Sequence, residues 1–227
     1  NNLVDNPSTF NIIGGGRNHI ICANSDLNVI VGGSNNTVSG YATSVLGGNS
    51  NQAWCGGSVV GGGTANHVCG HNSGVFSGGN NRAYGLQSAI VGGVNNCTFG
   101  DKTFVGGGRD NCAVGNVSTV AGGCSNKLNT GSDYSFIGGG WTNTINAAHS
   151  VIGGGITNII NGGANCSVIG GGCTNRINED SPYNFIGGGR GNIICDLLYN
   201  VIGGGFNNKT CAGFTSEGTF IGGGENN

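Results

Sequence analysis

The chain has 227 residues, of which 51 are glycine and 10 are cysteine; only 8% are charged and the net charge is −2. There is no basic run to attract nucleic acid or an anionic membrane, and no apolar stretch nears the ~18 residues of a membrane span, so neither nucleic-acid binding nor membrane insertion is expected. Unphased glycine at this density would mean disorder, but here it is in phase with the apolar residues and reads as turn chemistry.

One unit recurs along the whole chain. Looser copies come first, over 11–21, 28–38, 58–68 and 103–113, and the clearest follow over 135–145, 150–160, 167–177, 184–194 and 200–210. Registered on the asparagine near its end, the unit falls at Asn2, His19, Asn36, Asn51, Asn66, Arg82, Asn96, Asn111, Asn126, Asn143, Asn158, Asn175, Asn192, Asn208 and Asn227. In this register, glycines occupy the third and fourth positions before each slot from the second onward. A branched or aromatic apolar residue stands six before it, from Ile13 through Phe76 to Ile221, and Ser, Thr or Asn nearly always stands eight before it. Self-similarity at a short fixed period is the mark of a stacked solenoid.

Each unit reads as a short β-branched strand, a glycine turn, a second short strand and a linker that absorbs the insertions. Glycine density and the lack of a 3.6-residue apolar period argue against helix anywhere. The fold class is therefore all-β: a parallel β-solenoid, or β-roll, of about fourteen coils of 15–17 residues, forming one repeat domain over 1–227. Coils stacked ~4.8 Å apart would make a rod roughly 65–70 Å long. The chain lacks methionine and starts and stops at asparagine slots, so an excerpt of a longer protein is expected.

Stacking places Asn36, Asn51, Asn66, Asn96, Asn111, Asn126, Asn143, Asn158, Asn175, Asn192 and Asn208 in one amide ladder, which His19 and Arg82 are expected to interrupt. Seven before the slot stand Ile12, Val29, Val59, Val75, Phe104, Phe136, Val151, Val168, Phe185, Val201 and Phe220. Strand neighbours face opposite ways, so if Ile152 points inward this series points outward. An apolar stripe facing water predicts an interface between chains, most simply in a parallel bundle; the alternative is a flattened coil that buries both positions.

The cysteines follow the same register. Cys97 and Cys112 sit one after the slot in adjacent coils, Cys195 and Cys211 three after, and Cys55 and Cys69 four and three after. A ~4.8 Å coil spacing lies within disulfide reach, so these three rungs are predicted disulfides and the setting an oxidising one outside the cell. Cys22, Cys124, Cys166 and Cys173 have no adjacent partner in the register.

Reaction chemistry finds little support. The acidic residues, among them Asp133, Asp196, Glu217 and Glu225, never recur at one slot, so neither a calcium ladder nor a carboxylate pair is built into the repeat. The glycine runs have no strand–loop–helix context for phosphate. His67, Cys69 and His71 alternate along one strand and form the one metal-like cluster; its plainer reading is two exposed histidines beside a disulfide cysteine. No cofactor is expected.

At Ser150-Val151-Ile152-Gly153-Gly154-Gly155-Ile156-Thr157-Asn158-Ile159-Ile160 the sequence resembles the haemagglutinin-like head repeats of trimeric autotransporter adhesins, and the related Gly/Asn-rich repeats of bacterial surface and phage tail-fibre proteins. The resemblance covers the whole chain. It implies a parallel β-roll, usually trimeric, outside the cell and used for adhesion or as a stalk. Two functions compete. The first is a non-catalytic structural segment of an extracellular fibre or filament, self-associating as a trimer or head to tail. The second is a cell-surface adhesin or receptor-binding module with surface glycans as partners, for which the discriminator is a cluster of exposed aromatics on one side. By linker position, Trp54, Trp141, Tyr41, Tyr84, Tyr134, Tyr183 and Tyr199 are scattered.

Overall fold

The computed structural model describes residues 1–5, 7–195, 198–211 and 218–227; Asp196 and Glu217 of the acidic set lie outside them. The chain is a β-solenoid of about 14 turns with about 15 residues per turn, and no helix occurs among the described residues. Each turn gives one two-residue strand to each of two parallel 14-stranded sheets. Sheet A runs from Leu3–Val4 to Lys209–Thr210 and sheet B from Ile12–Ile13 to Phe220–Ile221. Equivalent residues pair in register, as in Val151↔Val168 and Ile152↔Ile169. The strands are short because glycines and corner residues bound them on both sides.

The chain divides into two compact units, Asn1–Asp110 and Asn111–Asn227. Within each unit the second residue of nearly every strand faces inward. Ile30, Val45, Val60 and Ile90 of sheet B oppose Val38, Ala53, Val68 and Ala83 of sheet A in the first unit, all fully buried. In the second unit Ile137, Ile152, Ile169 and Ile186 oppose Ile145, Ile160, Ile177 and Ile194 in the same way. Burying one such side chain contributes roughly 1.5–3 kcal/mol, so two columns of them form a thin but repeated core.

The corners need residues with positive φ. The second glycine of each turn supplies one: Gly155 has φ +94, and a Cβ there would strike the carbonyl of Gly172 in the next coil. The first glycine of the pair is freer, since a Cβ on Gly62 would meet nothing within 4 Å. Two further left-handed positions recur along the coils, held mostly by non-glycine residues, among them Asn80, Thr157, Thr174, Tyr134 and Tyr183. There the backbone N–H reverses direction. Val29 in a strand donates to Thr43 of the following coil, whereas Thr157 at a corner donates to Trp141 of the preceding one at 2.8 Å.

One coil corrects the sequence register. The asparagine slot belongs to Asn81 rather than Arg82: Asn81 is fully buried, while Arg82 points outward from its strand. The turn there is Ser77-Gly78, so paired glycine is not universal; serine is accepted because Gly78, with φ +91, takes the left-handed corner of that turn. A one-residue shift moves every side chain to the other face. Val75 is therefore a buried core residue, Gly74 holds the outward position, and Phe76 stands 57% exposed.

Candidate functional site

The asparagine column is internal, and its geometry is the same in both units. In the first, the Asn51 backbone N–H donates to Asn36 Oδ1 at 2.9 Å, and Asn51 Nδ2 donates to Gly47 O in its own turn and Gly63 O in the next. In the second, the Asn158 N–H donates to Asn143 Oδ1 at 2.9 Å, and its Nδ2 donates to Gly154 O and Gly172 O. Asn36, Asn51, Asn66, Asn81 and Asn96 in the first unit are fully buried, as are Asn111, Asn126, Asn143, Asn158, Asn175, Asn192 and Asn208 in the second. Each amide thus occupies both its donors and bridges two turns. His19 continues the column instead of breaking it, because its Nδ1 accepts the Asn36 N–H at 3.2 Å in place of an amide oxygen.

A second polar column runs eight positions before the asparagines. The Ser88 N–H donates to Ser73 Oγ at 3.1 Å and the Ser150 N–H to Ser135 Oγ at 3.0 Å. Asn184 and Asn200 do the same through Asn184 Oδ1, at 2.6 Å. Their composition is visible in the sequence, whereas the bonds that make them a ladder run between coils and are not.

Outside sheet B lies the apolar series. In the first unit Ile12, Val29, Val59 and Phe104 stand there, with Ser44, Gly74 and Ala89 between them. In the second unit Phe136, Val151, Val168, Phe185, Val201 and Phe220 follow Thr119 without a polar break. Phe136 and Phe185 are 40% and 42% exposed. The next outward position is glycine, Gly138, Gly153, Gly170, Gly187 and Gly203, and the rings of Phe136 and Phe185 extend alongside Gly138 and Gly187. The row therefore stands on a floor free of side chains.

Of the predicted disulfide positions, Cys195 and Cys211 are joined, with Cα atoms 5.1 Å apart, and Cys97 and Cys112 are both disulfide-bonded. Cys55 and Cys69 are a correction: they are free thiols whose sulfurs face each other at 3.5 Å. Their unequal slots, four and three after the asparagine, bring the sulfurs together without joining them. Burial, then the hydrogen bond and charge of Cys69, push the Cys55 thiol up to about 11. Cys22, Cys166 and Cys173 are also free, Cys166 is exposed, and Cys124 Sγ lies 3.6 Å from Ser125 Oγ.

A run of rings climbs four successive coils of the first unit. Trp54, His67, Tyr84 and Phe99 have centroids 5.3, 5.3 and 5.2 Å apart, the first two pairs edge to face and the last stacked. His67 Nδ1 lies 3.1 Å from the Tyr84 hydroxyl. Burial, with the charge of Arg82 adding to it, lowers the His67 pKa from its ordinary value, which favours the neutral ring. Two adjoining clefts of about 420 Å³ each open beside these rings and share Asn80 and Arg82. His67, Cys69 and His71 do not converge, and the plainer reading is corrected in part: Cys69 is a free thiol facing Cys55, and the half-buried His67 ring is placed between Trp54 and Tyr84. Among the described residues no three His, Cys, Asp or Glu side chains are grouped to hold a metal.

The ring run had a signal that the shifted register concealed. With the slot at Asn81, Trp54, Tyr84 and Phe99 all stand three after their asparagines. Counting backwards from the slots, Tyr134, His149, Cys166, Tyr183 and Tyr199 form another column in the second unit, where Tyr134 stacks on His149 and Tyr183 on Tyr199. Linker length hides this column when counting runs forwards. No protein-family model matches the chain, and no curated protein matches it.

Proposed function

We propose that the chain is a non-catalytic structural protein, a segment of an extracellular fibre or filament in which solenoids associate through the outer face of sheet B. The supporting observation is the row Phe136, Val151, Val168, Phe185 and Val201, apolar at every rung and level with bare glycines. A monomer in water rarely leaves so regular an apolar strip uncovered, and a second copy presents a strip of identical pitch. The disulfide at Cys195–Cys211 supports an oxidising location at or outside the cell surface.

Sedimentation velocity over a concentration series, with electron microscopy of the same samples, tests this reading. The native chain is expected to assemble, and Phe136→Asp with Phe185→Asp to abolish assembly while leaving the β circular dichroism intact. Thr144→Asp, on the outer face of sheet A, is the matched control. A native chain that stays monomeric throughout, or a double variant that assembles unchanged, overturns the proposal.

The exposed ring run favours a second reading, a surface-binding module that engages glycans. Trp54 and Phe99 are 47% and 50% exposed, and His67 and Tyr84 line one cleft while Phe99 lines the next.

A further inference from the structure

The groove beside the ring run is chemically asymmetric. One side carries the rings of Tyr84 and Phe99, with Trp54 at the lower end of the same run. The other carries polar corner residues ordered by their own hydrogen bonds, Asn80 Nδ2 donating to Asn95 Oδ1 at 2.7 Å and Asn95 Nδ2 to Asp110 Oδ1 at 3.1 Å. The Asp110 carboxylate is met by Arg109 at 3.3 Å. From the floor, on sheet A, rises Arg82, which lines both clefts, is exposed, and forms no ion pair among the described residues.

Each part selects a different feature of a ligand. Aromatic surfaces take apolar C–H faces, amides take hydroxyls, and a free guanidinium takes a carboxylate in a paired fork. Saccharides of uronic-acid type present all three at once. The scaffold also sets a spacing: rings and amides recur once per coil, at ~4.8 Å, which is close to the residue repeat of an extended polysaccharide. The run from Trp54 to Phe99 covers three such steps, or about 14 Å.

We propose that this groove binds an extended acidic oligosaccharide lying along the stack of coils, with a sugar carboxylate on Arg82, sugar faces against Tyr84 and Phe99, and hydroxyls on Asn80 and Asn95. The proposal rests on the surface-binding reading and is independent of assembly through sheet B. His67 is a positioning residue in it: its hydrogen bond to Tyr84 fixes the ring that the sugar would meet.

The chain has two tryptophans, so Trp141→Phe leaves Trp54 as the sole indole reporter. Its fluorescence is titrated with hexamers of galacturonate, guluronate and glucuronate, with the carboxyl-reduced form of each, and with hexaglutamate. A saturable change is expected with at least one acidic hexamer, at least tenfold weaker after carboxyl reduction, and weakened by added salt. Arg82→Ala, an exposed change that leaves the coil intact by circular dichroism, is expected to weaken binding tenfold or more, and Arg82→Lys to restore part of it. Phe99→Ala is expected to weaken acidic and reduced forms alike. Equal binding of reduced and acidic hexamers, or an unaffected Arg82→Ala, overturns the acidic preference and leaves a glycan groove standing. No response to any saccharide overturns both, and an equal response to hexaglutamate shows that the groove reads charge alone and overturns the saccharide.

Discussion

In the unit Asn1–Asp110 the outer face of sheet B alternates aliphatics with Ser44, Gly74 and Ala89, while sheet A carries Gln52, His67 and Arg82 beside a run of rings. In the unit Asn111–Asn227 sheet B presents Phe136, Val151, Val168, Phe185 and Val201, and sheet A a mixture of Lys127, Thr144, Ile159 and Arg176. The inward residues are alike in kind: buried aliphatics, buried asparagines and buried hydroxyls serve both units, although on sheet A they are smaller in the first, with Ala53 and Ala83 where the second has Ile160 and Ile177. Inward positions answer to the coil above and below, so stacking holds their chemistry constant. Outward positions answer only to solvent and partners, and there the units separate. The interior specifies the fold and the exterior carries whatever each unit does.

If the interior is shared, breaking it must cost the same in either unit. The severest test is the second turn glycine. Gly155→Ala and Gly63→Ala each drive a Cβ into the carbonyl of the next coil at a positive φ, and both are expected to cost more than about 4 kcal/mol, enough to prevent folding. Gly62→Ala, one residue earlier in open space, is expected to change stability by less than about 0.5 kcal/mol. Urea unfolding of the three variants decides this, and a tolerated Gly155→Ala would mean that the coils are not packed at this distance.

Next in size is the amide ladder. Asn158→Ala orphans the Asn175 N–H, which donates to Asn158 Oδ1 at 3.0 Å, and removes the amide donor from the Gly154 and Gly172 carbonyls, of which Gly172 keeps the Ile156 N–H. At about 1–3 kcal/mol per buried orphan, a loss near 3 kcal/mol is expected, and the same for Asn66→Ala in the other unit. A large difference between the two would show that the interiors are not equivalent. His19→Asn sharpens the point: it is expected to stabilise, since the buried His19 Nε2 has no hydrogen-bond partner among the described residues and an amide would satisfy both of its donors.

The thiols separate inward constraint from outward freedom by chemistry. With its pKa near 11, Cys55 is almost wholly protonated at neutral pH, so alkylation of the exposed Cys166 is expected to run well ahead of it, with Cys55 gaining reactivity only as pH climbs towards 11. The raised folded pKa lies above the ordinary thiol value of 9.0. Its contribution to the stability of the reduced chain is therefore complete below about 9 and fades as pH rises towards 11. Mass spectrometry of timed alkylation reads the order directly; equal rates at neutral pH would show that the pair is open to solvent.

Most of this fold was legible because its period is short and its inward columns repeat. The asparagines, the position six before them and the glycine turns identify the two sheets and their facing without any tertiary information. The failure of register was local and had one cause. Asn80, Asn81 and Arg82 offered several slots, and trusting paired glycine over the asparagine moved one coil by a residue; that turned Val75 outward and hid Tyr84 from Trp54 and Phe99. The left-handed corners were illegible for a different reason. Threonine, tyrosine and alanine adopt them against their preference, held by hydrogen bonds from neighbouring coils that no single repeat displays.

Those corners supply the smallest and sharpest comparison. Just before the asparagine slot, the first unit places Asn35, Asn80 and Asn95 among others, while the second has Thr142, Thr157 and Thr174 in succession before asparagine returns at Asn207; the first six have φ between 53 and 59. A β-branched residue in this region is strained by the crowding at its Cβ, while asparagine tolerates it. Thr174 is held there because its N–H donates backwards to Ile156 O at 2.9 Å, a bond that the extended region would break. Thr174→Asn keeps that bond and relieves the strain, at the cost of a hydroxyl contact to Cys173 O made on the exposed surface. A net gain of about 0.5–1 kcal/mol is expected, which in a chain of this size raises Tm by about 1–4 °C. The reciprocal Asn80→Thr adds the strain and removes the Asn95 bond, so it is expected to lose at least as much. If Thr174→Asn proves neutral while Asn80→Thr is destabilising, the exposed amide chain rather than corner strain explains the asparagines of the first unit, and that column belongs with the groove.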